Sequence, residues 1–173
     1  MSELSGLKIL NDLATTSLRF RPKTDEPVQM LRSLTMCVQE MTREELLLLR
    51  QKIDTKLGFK LMYLSVLAAE KSINTGQADW LKSAVCAHVV EGMKGDYREN
   101  TLRLGAVEYS AWKLGIPVST LLEPFKVILS DSELEQLQQA LGSGRGENSL
   151  WAVGMKEEII DGLSVFVSEN PTP

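Results

Sequence analysis

This sequence predicts an all-α protein: a compact multi-helix bundle of about seven or eight helices, or a stack of helical hairpins. Three observations lead there. Apolar residues recur at helical spacing along most of the chain, with start and stop signals between the runs. Two consecutive segments between Asp79 and Leu114 are apolar around nearly their whole circumference, which requires helices packed on two sides. The 173 residues, 43% apolar and 24% charged, suffice for one domain with a sizeable core.

In order, the first element carries Leu7, Leu10, Leu13 and Ala14 at helical spacing, then gives way to a basic and aromatic loop near 19–27 containing Arg19, Phe20, Arg21 and Lys23. Pro27 suits the first turn of a second helix built on Val28, Leu31, Leu34, Val38 and Met41. Thr42 and Glu45 form a capping-box signature for a third, which Gly58 is expected to end. Phe59 to Ile73 make a fourth, closed by the turn at 74–77. Asp79 is expected to cap the fifth and Asp96 the sixth, with Gly115 and Pro117 closing the latter.

Pro124 inside a helix would cost roughly 3 kcal/mol, so a short or broken element is expected between Ser119 and Ser130. Ser130 and Glu133 open the next helix and Gly142 stops it, completing a helical body over 1–141. The glycine-dense stretch 142–149 reads as a flexible loop. Beyond it, 150–168 reads as a C-terminal helix through Trp151, Met155, Ile159, Leu163 and Phe166, packing on the body or on a second copy, although Leu163, Val165 and Val167 also alternate as a strand would.

On the sixth helix, Tyr97, Leu104, Val107, Ala111 and Leu114 form one stripe and Leu102, Gly105, Tyr109 and Trp112 a second. Both it and the fifth helix are therefore expected to be buried on two sides. Helix starts 17 residues apart (Thr42 and Phe59, Asp79 and Asp96) would suit a solenoid, but the paired segments share no consensus.

Several classes of activity find no support in the sequence. No stretch approaches the roughly 20 apolar residues of a spanning helix, and the N-terminus lacks the basic start and apolar run of a signal peptide. With Cys37 and Cys86 reading as separate thiols in helical patterns, a cytoplasmic protein is expected. His88 is the single histidine, and by the helical period Cys86 points about 160° away from it, so the two cannot share a metal. The glycine run 142–146 lacks both phosphate-cradle patterns. No metal, cofactor or catalytic set is assigned.

Two groups of residues remain as candidates. His88 and Glu91 fall on one helical face, and Glu108 lies between the stripes of the sixth helix; with Tyr97 and Tyr109 they could line a pocket between helices. The structural reading of the same residues is a satisfied core histidine and a buried ion pair. The other group follows from charge. Residues 1–78 carry 11 Lys and Arg against 9 Asp and Glu, whereas 79–173 carry 8 against 14, for a net −4 overall. Between 131 and 169 there are eight carboxylates (131, 133, 135, 147, 157, 158, 161 and 169) and only Arg145 and Lys156. That field repels phosphate and attracts a basic protein surface, so neither nucleic acid nor membrane is expected as a partner. The function expected is non-catalytic protein binding, with Trp151, Glu157, Glu158 and Asp161 receiving a basic partner, as in a toxin-neutralising immunity-type protein. A helical enzyme or small-ligand binder using the His88 and Glu108 region is the alternative, and a homo-oligomer through 150–168 a further arrangement.

Overall fold

The computed structural model describes residues 2–16, 18, 24–92, 97–141 and 160, with side chains omitted at 2–4 and 97–103. Among these, every regular element is helical: α1 (Ser2–Thr15), α2 (Glu26–Gln39), α3 (Arg43–Arg50), α4 (Thr55–Thr75), α5 (Asp79–Glu91), α6 (Tyr97–Leu114), α7 (Val118–Leu122) and α8 (Asp131–Leu141), with a 3-10 turn at Glu123–Phe125. The glycine-rich stretch 142–149 and all of 150–168 except Ile160 lie outside the described residues. Ile160 is helical and fully buried in the common core. No helix among the described residues is long and apolar enough to cross a membrane.

Local signals account for most boundaries. Thr42 accepts from the Glu45 amide at 3.2 Å while the Glu45 carboxylate accepts from the Thr42 amide at 3.1 Å, a complete capping box. Gly76 ends α4 in the left-handed region (φ 70°). At the end of α6, the Ile116 amide donates to Ala111 and the Gly115 amide to Trp112, a Schellman closure with Gly115 at φ 70°. Pro124 falls in the first turn of the 3-10 segment, where its missing N–H costs little, so the element from Val118 is short and broken as its sequence requires.

Three boundaries differ from expectation. Gly58 does not end a helix: α3 stops at Arg50, and α4 starts at Thr55 with Asp54 as its cap, accepting from the Leu57 amide at 2.8 Å. Gly58 instead lies buried in the first turn of α4, where a Cβ would stand 3.3 Å from the Glu91 carboxylate; the glycine permits close approach of α5. Asp79 is the first helical residue of α5 and makes no side-chain cap; its carboxylate meets Arg32 at 3.7 Å and Lys82 at 3.9 Å. Asp96 lies outside the described residues.

The core centres on α4 and α5. Every α5 residue from Trp80 to Glu91 is buried except Lys82, and α4 is buried at nearly every position from Leu57 to Ala69. Helix α6 is not buried on two sides. Leu104, Val107 and Ala111 are buried, but the second stripe reaches water: Gly105 and Tyr109 are half-buried and Trp112 is 52% exposed, its ring 5.8 Å from that of Tyr109. Helices α1 and α2 both pack on α4, α2 also on α5, and α6 on both α4 and α8. Packing that skips sequence neighbours is a bundle's, whereas a solenoid's repeats touch only their neighbours.

Candidate functional site

His88 is 1% exposed. It faces α4, where its Nε2 lies 3.2 Å from Ser65 Oγ. The single Ser65 hydroxyl proton goes to the Ala84 carbonyl at 2.8 Å, so Nε2 carries the proton of the contact with Oγ. A protonated Nε2 cannot accept a proton from that hydroxyl, and both groups are closed off from water; the pair ties α5 to α4. Glu91, also buried, approaches α4 at Gly58, two helical turns from Ser65. The i,i+3 spacing thus brings both residues to one face, and that face lies inside the helix pair. Glu108 is buried, while Tyr109 lies half-buried beside Trp112. The side chain of Tyr97, and all of Trp151, Glu157, Glu158 and Asp161, lie outside the described residues. Cys86 is a free, fully buried thiol pushed up to about 12 by burial, against a lowering hydrogen bond with Thr35; Cys37 is free and half-buried. Among the described residues no cluster of three or more His, Cys, Asp or Glu is placed to hold a metal.

Among the described residues, two further polar junctions between helices involve buried charges. At the first, Lys60 of α4, 2% exposed, donates to the carbonyls of Leu13 at 3.1 Å and of Ala14 and Thr16 at 2.9 Å. These belong to the C-terminal end of α1, which has no basic residue in its last turn. The ammonium therefore supplies donors that α1 lacks. Burial pushes Lys60 below the usual lysine range, with Asp54 opposing.

At the second junction Glu133 caps α8 through Ser130, whose amide donates to Oε1 at 3.0 Å and whose hydroxyl accepts from the Glu133 amide at 3.2 Å. Two arginines of α3 converge on the same carboxylate, Arg43 at 2.7 Å and Arg50 at 2.5 Å. Arg43 also reaches the Ile128 carbonyl, and Arg50 donates through Nε and Nη2 to the Val89 carbonyl near the end of α5. Burial by itself would raise the Glu133 pKa, but the Ser130 amide and both guanidiniums outweigh it and hold the carboxyl at about 2. One of the eight carboxylates counted between 131 and 169 is thereby committed inside the protein. The Ser130/Glu133 signature pointed to the cap; nothing in sequence placed Arg43 and Arg50, 90 and 83 residues away, in the same network.

Comparison with protein-family models, curated proteins and solved structures yields no match.

Proposed function

We propose that this is a non-catalytic protein-binding module whose acidic C-terminal region receives a partner with a basic surface, a toxin-neutralising immunity-type role being the concrete form. The observation that carries the reading is the charge distribution: eight carboxylates against two basic residues over 131–169, with Trp151 as an aromatic anchor beside Glu157, Glu158 and Asp161. Its support from the body is indirect. Glu133, one of the eight, is neutralised by Arg43 and Arg50, and His88, the one imidazole, is engaged with Ser65 in the core.

Affinity capture from a native lysate at low and moderate salt tests the reading, with the combined Glu157→Lys, Glu158→Lys and Asp161→Lys variant as control. One basic protein should be retained, more weakly as salt rises and not by the variant. Absence of such a protein at either salt, or retention undiminished by charge reversal, overturns the assignment.

A further inference from the structure

Gly105, Tyr109 and Trp112 of α6 stand within about 60° of one another by the helical period, turned away from the buried Leu104, Val107 and Ala111. All three reach water: Gly105 and Tyr109 are half-buried, and Trp112 is the most exposed of them, its ring 5.8 Å from that of Tyr109. A Cβ built on Gly105 would meet nothing within 4 Å among the described residues, so the glycine leaves a gap in the stripe where a side chain would otherwise stand. Trp112 lies seven residues, about two turns, from that gap on the same face. We propose that this face pairs with its counterpart on a second copy of the chain, the two α6 helices running antiparallel, so that Trp112 of each copy fills the gap at Gly105 of the other. The proposal is independent of the protein-binding reading.

The stripe complements itself in the antiparallel sense. About a two-fold axis crossing α6 between Glu108 and Tyr109, residue 112 of one helix faces residue 105 of the other, and the reverse, so the contact is isologous and holds two identical knob-and-hole pairs. The Tyr109 rings then meet near the axis, where aromatic pairs add to the area they bury. Parallel pairing would instead set Trp112 against Trp112 and gap against gap. It would also bring the exposed Lys113 residues of the two copies side by side, whereas the antiparallel register separates them by about 13 Å along the helix axis, more than the Debye length of about 8 Å at physiological salt. Tryptophan and tyrosine are the side chains that most often carry interface energy, and a half-exposed tryptophan facing a glycine supplies both the anchor and its pocket. The 18 residues of α6 span only about 27 Å, and a strip one helix wide is at the low end of specific interfaces, so the dimer is a weak one that forms with rising concentration.

Sedimentation equilibrium of the full chain from micromolar to millimolar concentration tests this. The average mass should rise with concentration from that of one chain towards that of two. Trp112→Ala and Gly105→Gln should each raise the dissociation constant about tenfold or more, the first by removing the knob and the second by filling the hole. Circular dichroism and melting of the dilute variants should stay those of the folded monomer, since Trp112 is half in water and glutamine is a better helix former than glycine. Gly105→Gln removes no side chain, so it keeps the test decisive should Trp112→Ala loosen the fold. A mass that stays monomeric throughout, or a dimer that Gly105→Gln or a folded Trp112→Ala leaves as tight as before, as one formed through 150–168 would be, overturns the proposal.

Discussion

The two buried junctions solve opposite problems with opposite charges. At the end of α1, an ammonium reaches across from α4 to three carbonyls; at the start of α8, a carboxylate meets an amide and two guanidiniums. Lys60 donates to the carbonyls of a helix terminus, and burial lowers its pKa despite Asp54. Glu133 pairs with full charges, so its pKa falls despite burial. A helix end is thus held either by a cation that the protein pays to bury or by an anion whose partners more than repay it.

Removing each charge measures that difference. Lys60→Met should give the largest effect, about 3–5 kcal/mol in denaturant unfolding, because the Leu13, Ala14 and Thr16 carbonyls lose their donor inside the core. Hydrogen exchange should rise in α1 before α5. Loss of under 1 kcal/mol would mean that water replaces the ammonium and the junction is not closed. Glu133→Ala should cost about 2–3 kcal/mol, since it removes the α8 cap and leaves the largely buried Arg50 without its carboxylate.

The pH profile separates the junctions by sign. Because Glu133 is held at about 2 against an ordinary 4.5, its stabilisation, about 3 kcal/mol, is present above pH 4.5 and lost as pH falls towards 2. Lys60 acts in the other sense: its folded pKa lies below the unfolded 10.5, so between those values the unfolded chain binds more protons and stability rises with pH. Cys86, raised from 9 to about 12, opposes that rise by losing stabilisation from pH 9 upward. Cys86→Ala should therefore flatten the alkaline loss, and Glu133→Gln the acid loss; an acid limb unchanged in Glu133→Gln would remove the carboxylate from the account.

A capping box without arginines isolates what Arg43 and Arg50 add. Thr42→Ala should cost about 1 kcal/mol, half the Glu133→Ala effect or less. Smallest of all, Asp25→Asn should change stability by less than about 0.5 kcal/mol, its carboxylate being mostly in water.

Residue periodicity and caps, both local, were enough to define this protein as all-helical and to mark the capping boxes at Thr42 and Ser130, the Gly76 and Gly115 terminators and the broken element around Pro124. A cap acts within four residues and an apolar stripe within two turns, so each can be read one segment at a time. What a residue meets across the core cannot. Gly58 looked like a terminator until Glu91 was placed against it, and Trp112 completed an apolar stripe yet stands 52% exposed. His88 and Glu91 do share a face, but only packing decided that the face belongs to α4. Lys60 interrupted an apolar run in sequence, and only the arrival of α1 above it made its charge the donor for a helix end. These depend on which surfaces meet over long chain separations, and that choice was made by the tertiary structure.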